Sequence, residues 1–93
     1  MKISYDPAKR QKTLDERGLD FLDANRVFMG FTLTWPDTRK DYGEDREITI
    51  GMLMLTPVVL VWTDRSDSRR IISMRKASDH EREEYFRAMA GSG

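Results

Sequence analysis

A chain of 93 residues with 16 basic and 16 acidic side chains and no cysteine is one domain without net charge, and no disulfide or thiolate metal site can reinforce its small core. Neutrality argues against tight non-specific nucleic-acid binding, which favours a basic protein, and the longest apolar run, Val58 to Trp62, is too short to cross a bilayer. The start, MKISYDPAKR, has no apolar stretch of the kind a secretory signal needs, so the chain reads as a small cytoplasmic domain.

Lys2 to Tyr5 reads as a first strand, and Asp6-Pro7 as an N-cap followed by proline at the first helical position. The helix PAKRQKTLDER stops at Gly18 and has only a thin apolar stripe. Asp20 caps a second helix, FLDANRVFM, with Phe21, Ala24, Val27 and Phe28 at core spacing and Gly30 as its stop. From Phe31 the period becomes two. FTLTW is a half-buried strand ended by Pro36, and PDTRKDYGED is a polar loop expected to be mobile. REITIGMLML is the next strand, a turn falls near Thr56-Pro57, and VVLVWT is apolar on both faces, as a central strand would be. RRIISMRK is the last strand. Ser78 to Glu81 then forms S-x-x-E, a capping box opening a final helix with Tyr85, Phe86 and Met89 on one face.

The order β-α-α-β-β-β-β-α predicts an α+β fold. It is an antiparallel sheet with two N-terminal helices and one C-terminal helix, gathered mainly on one side. Residues 1–93 form a single domain, with 91–93 as a flexible tail.

Several chemistries are excluded. One histidine and no cysteine leave no zinc or haem site and no Ser-His-Asp triad. No glycine-rich phosphate loop is present, and no metal or cofactor is implied. Asp20 with Asp23, and Asp41 with Glu44 and Asp45, fit capping and solvated-loop duties. His80, at the start of a capped helix, reads as exposed.

The informative element is the basic strand. Strict alternation groups Arg69, Ile71, Ser73 and Arg75 on one face and Arg70, Ile72, Met74 and Lys76 on the other. Ile72 and Met74 are then core residues, with Ser73 and Arg75 on the working face. A guanidinium there can grip a phosphate through two hydrogen bonds. It can equally form surface ion pairs with Asp64, Asp67 or the last helix, and on the residues alone the two readings stand level. A non-catalytic interaction module with a basic surface, anchored by Trp35, Met52 and Met54, also fits. A DNA reader fits less well, because no helix is basic enough to enter a major groove.

Three segments together resemble the BrnT toxins of bacterial toxin–antitoxin pairs: DPAK continuing through RGLDFLDA, EDREITIG, and RIISMRKASDHEREEY. The last is the most specific. One departure is that the family usually has Lys-His before the glycine, where this chain has Glu16-Arg17-Gly18; any role of that histidine is absent or passes to Arg17. The resemblance implies a RelE-like fold and a metal-independent endoribonuclease that inhibits translation. It also implies neutralisation by a ribbon-helix-helix antitoxin, BrnA, whose complex with the toxin binds operator DNA.

Matched position by position, the resemblance points to Lys9, Arg70, Ser73, Arg75, Glu81 and Tyr85 as catalytic candidates and to Arg46 as an RNA contact; Arg65, Arg69 and Lys76, from the basic zone around the last strand, are further expected RNA contacts. Arg75 and Arg70 would clamp the scissile phosphate and Ser73 donate to it, while Lys9, Glu81 or Tyr85 handle protons. Each has a plain rival: Glu81 completes the capping box, Tyr85 packs on the sheet and Lys9 is solvated.

Overall fold

The structure is a computed structural model and describes residues 2–92. Five strands form one sheet in the order β1-β5-β4-β3-β2. They are β1 (Ile3–Tyr5), β2 (Thr32–Pro36), β3 (Glu47–Leu53), β4 (Thr56–Arg65) and β5 (Ser68–Lys76); the helices are α1 (Pro7–Arg17), α2 (Ala24–Met29) and α3 (Asp79–Ser92). Strands β2 to β5 are the expected antiparallel meander, and β1 joins β5 in parallel. The fold is α+β. No helix among the described residues is long and apolar enough to cross a membrane.

The helices do not gather on one side. One apolar cluster joins Phe21, Ala24 and Val27 to Val58, Leu60, Ile71 and Met74, beneath α1 and α2. A second joins Tyr85 and Met89 of α3 to Ile48, Ile50, Val59 and Val61. The cause lies in β4: Val58 and Leu60 face one way, Val59 and Val61 the other, and all four are buried. A strand apolar on both faces needs cover on both.

Helix α1 buries none of its residues and is held mainly by polar contacts. Asp6 caps it through the Ala8 N–H (2.9 Å), and Gly18 ends it in the left-handed region at φ 68°. Arg10 forks onto Asp20 at 2.8 and 3.0 Å. Asp20 also accepts from the Leu22 N–H (2.9 Å), so one carboxylate starts the next element and ties it to α1. That element is shorter than its apolar spacing suggests, because Phe21–Asp23 is a 3-10 turn before α2. Helix α2 lies close over β3 because Gly51 lacks a side chain: a Cβ there would stand 2.6 Å from Val27 Cγ1.

Three further departures from the sequence reading have local causes. The β3–β4 turn is Met54-Leu55, since Leu53 already pairs with Thr56 and Met52 with Pro57. Met54 takes φ 55° to close it. Helix α3 continues through Gly91 and Ser92, two residues read as tail; Gly93 lies outside the described residues. Most consequential is a bulge in β5. Val61 pairs with Ser73 but Trp62 with Ile71, leaving Ile72 as the extra residue. Alternation is therefore broken in mid-strand. Ile71 and Met74 share the α1/α2 core, and Ile72 packs on the α3 side, not beside Met74.

Candidate active site

The bulge decides which basic residues meet. Before it, Arg69 lies on the α1/α2 side, its guanidinium 4.0 Å from the Phe28 ring centroid and 5.0 Å from that of Trp62. Arg70, its neighbour, takes the opposite side. After the bulge, Met74 returns to the α1/α2 core and Arg75 turns toward α3. Arg70 and Arg75 therefore share the α3 side, which strict alternation had denied them. The two were the residues proposed to clamp one phosphate.

Arg75 is held by α3. Its Nη1 and Nη2 donate to the two oxygens of Glu81 at 2.7 and 2.9 Å. Glu81 also accepts from the Ser78 N–H (2.7 Å), and its own N–H donates to Ser78 Oγ (3.2 Å), which is the capping box read from the sequence. The Arg75 fork, with help from Ser78 and against the effect of burial, holds the Glu81 carboxyl down at about 2. A carboxylate so occupied is a poor proton acceptor. It fixes the guanidinium instead, and the Arg75 side chain remains 43 % exposed.

Ser73, paired with Val61, adjoins a stretch of β5 with no outer neighbour. Strand β1 pairs only with Arg69, Arg70 and Ile71, so the outer edge from Ile72 to Lys76 is open. Helix α1 runs beside that edge. Arg17 Nη1 donates to the Met74 carbonyl at 2.9 Å, and a shallow cleft of about 200 Å³ forms between Ile72-Ser73 and Lys9, Lys12, Thr13, Glu16 and Arg17. Lys9 thus stands across a cleft from Ser73. Among the described residues no carboxylate pairs with Lys9, Lys12 or Arg70.

Tyr85 is elsewhere. It is fully buried, its hydroxyl donates to the Phe31 carbonyl at 2.7 Å, and burial raises its pKa. It anchors α3 to the entry of β2 and has no exposed surface to offer a substrate. The other cations disperse. Arg46 and Arg65 both bind Glu44 at 3.1 Å, where β3 begins and β4 ends, and Arg46 lies 4.1 Å over the Tyr42 ring. Lys76 lines a separate hollow with Gly18 and Leu19. Arg69 is stacked on the far face, so the four expected RNA contacts do not form one surface with Arg75.

Two features escaped the sequence reading. The polar loop after Pro36 is organised around Asp37, whose carboxylate has 0 % exposure and pairs with Arg39 at 2.7 Å. Two charges in a polar loop look solvated, and nothing local marks Asp37 for burial. The second is Arg17, whose link to the β5 edge depends on a contact across 57 positions. On the other side of Glu81, a groove of about 440 Å³ between β2 and α3 is floored by Leu33 and Ile50, with Trp35 and Glu84 at its rim.

A family model described as the ribonuclease toxin BrnT of type II toxin–antitoxin systems matches residues 5–81. No curated protein matches the chain. The matched stretch runs from Tyr5, the last residue of β1, through α1 and strands β2 to β5 to the Glu81 that holds Arg75, so the chain belongs to the BrnT family of ribonuclease toxins of type II toxin–antitoxin systems.

Proposed function

We propose that this toxin is an endoribonuclease that cleaves RNA without a metal, by attack of a ribose 2′-OH on the adjacent phosphate. The new bond joins the 2′-oxygen to phosphorus and the breaking bond releases the 5′-oxygen. The 2′-OH gives its proton to an acceptor, and the leaving 5′-oxygen takes one from a donor. The observation that carries this reading is the bidentate Arg75–Glu81 pair at 2.7 and 2.9 Å, which presents a fixed, partly exposed guanidinium beside an open strand edge. Arg75 holds the scissile phosphate and stabilises the charge that grows on it. Arg70 adds a second cation from the same side. Ser73 donates a hydrogen bond, and Lys9, across the cleft, is the group placed to move a proton.

Glu81 acts through Arg75 and not as the base, since its pKa is held far below neutrality. The RNA-cleaving chemistry stops translation. The cognate partner is a BrnA-like ribbon-helix-helix antitoxin, which covers the toxin and carries the complex to operator DNA. Membership of a ribonuclease family disfavours the purely non-catalytic module, although a toxin of this kind also presents an antitoxin surface.

The test is RNA cleavage by the purified chain in excess EDTA, and in a translation extract. Wild type should cleave in both. Arg75→Ala should be slower by about 10²- to 10³-fold, the usual cost of one donor to a developing oxyanion. Cleavage by Arg75→Ala at the wild-type rate would remove Arg75 from the site, and loss of wild-type cleavage in EDTA would refute metal independence.

A further inference from the structure

Asp37 is buried and charged: its carboxylate has 0 % exposure, whereas its partner Arg39 is 62 % exposed. Arg39 reaches it through Nε at 2.8 Å, Nη2 at 2.7 Å and the backbone N–H at 3.2 Å. A carboxylate withdrawn from water is costly unless fully paired, and here the pairing spends one edge of a guanidinium and leaves the rest in solvent. Glu81 and Arg75 show the same arrangement, with the carboxylate more covered than the arginine.

The strand register puts both arginines on one side. Leu33 packs in the α3-side cluster and Trp35 lines the groove beside Glu81 and Glu84. Pairing continues one residue past β2, since the Asp37 N–H donates to the Arg46 carbonyl at 2.8 Å. Alternation therefore sends Asp37, and the Arg39 fork bound to it, to the α3 side. Trp35 also occupies the row Trp35–Ile48–Val61–Ser73 across the sheet, which places this loop at the far end of the row containing Ser73. The Glu81 hydrogen bonds raise the Arg75 pKa, and the charge on Arg39 acts weakly against them, as a second cation on the same side would.

We propose that Arg39, aimed by Asp37, is a second phosphate-binding arginine of the same surface, engaging an RNA backbone phosphate further along the strand from the one that Arg75 holds. This rests on the ribonuclease reading and deepens it. Two like charges on one face repel until a polyanion joins them, and each arginine is already oriented on one edge by a carboxylate, so little freedom is lost when the other edge meets a phosphate. Asp37 is a positioning residue in this scheme.

The experiment measures binding of a short single-stranded 2′-O-methyl RNA, which cannot be cleaved by 2′-OH attack, to the full chain across a salt series. Arg39→Ala should bind about tenfold more weakly, and the slope of log K against log salt should fall by about 0.7, the loss of one phosphate contact on a single strand. Arg39→Lys should keep the slope while losing part of the affinity. Arg26→Ala, an exposed control on α2, should change neither. An unchanged slope in Arg39→Ala, with wild type still cleaving RNA, overturns this assignment and leaves the ribonuclease reading intact. Failure of wild type to bind or cleave RNA overturns both. Unchanged RNA binding with weakened capture of the antitoxin would assign Arg39 to the protein partner instead.

Discussion

Glu81 accepts two hydrogen bonds from Arg75 and one from the Ser78 backbone at the same time, so one carboxylate both starts α3 and aims the guanidinium on β5. If Glu81 works only through Arg75, the two positions are not additive. Glu81→Ala should approach the cleavage rate of Arg75→Ala, and the double variant should be no slower than Arg75→Ala alone. A double variant slower by the product of the two effects would give Glu81 a proton-transfer role of its own. Glu81→Ala should also lose about 1 kcal/mol of stability with its half of the capping box, visible in urea denaturation.

The pH dependence has a defined sign. Glu81 is held at about 2 when folded, below the usual value near about 4.3 for an unfolded chain. A carboxyl lowered on folding adds stability that is fully present above the unfolded value and is lost as pH falls through the folded one. Wild type should therefore exceed Glu81→Gln in stability by a constant margin above about pH 5, and the margin should shrink between about pH 4 and 2. Urea midpoints at a series of pH values measure this directly. A margin that disappears near pH 6 would contradict the Arg75 pairing.

Tyr85 offers a clean separation of structure from chemistry. Tyr85→Phe removes only the hydroxyl and leaves the half-buried Phe31 carbonyl without its 2.7 Å donor. The expected cost is about 1–3 kcal/mol of stability. Cleavage per folded molecule should be unchanged at a temperature well below unfolding. A large fall in kcat with stability intact would restore Tyr85 as a catalytic residue.

Gly51 tests how α2 sits on the sheet. Gly51→Ala places a Cβ 2.6 Å from Val27 Cγ1, and overpacking of this kind typically costs about 1–3 kcal/mol. Adding Val27→Ala removes the clashing methyl, so the double variant should recover part of the loss from Gly51→Ala. Thermal melts of the three variants are sufficient to show it. Two losses that simply add would mean that the helix is positioned by something other than this contact.

Much of this was legible in the sequence. The capping box Ser78 to Glu81, the Asp6-Pro7 helix start and the central character of Val58 to Trp62 are local patterns whose chemistry is self-contained. VVLVW even implied cover on both faces, a consequence at odds with helices placed on one side. The β5 bulge was not legible, because Ile71 and Ile72 are equally acceptable to either core and only pairing with Val61 and Trp62 distinguishes them. That one residue moved Arg70 to the side of Arg75 and Arg69 away from both. The burial of Asp37 was hidden for a similar reason: its partner is two residues away, but its cover comes from the fold.

The open outer edge of β5 is also a hazard. A strand with free backbone groups is a template for a strand from another molecule, and a toxin that paired edge to edge with its own copies would aggregate. Here Arg17 occupies the Met74 carbonyl, and the cations of α1 stand along the gap. Another copy of the chain would have to displace Arg17 and bring a second set of cations against the first. An extended polyanion meets neither obstacle. On the proposed ribonuclease reading, the cations that would receive RNA at this edge also oppose its pairing with a second copy of the chain.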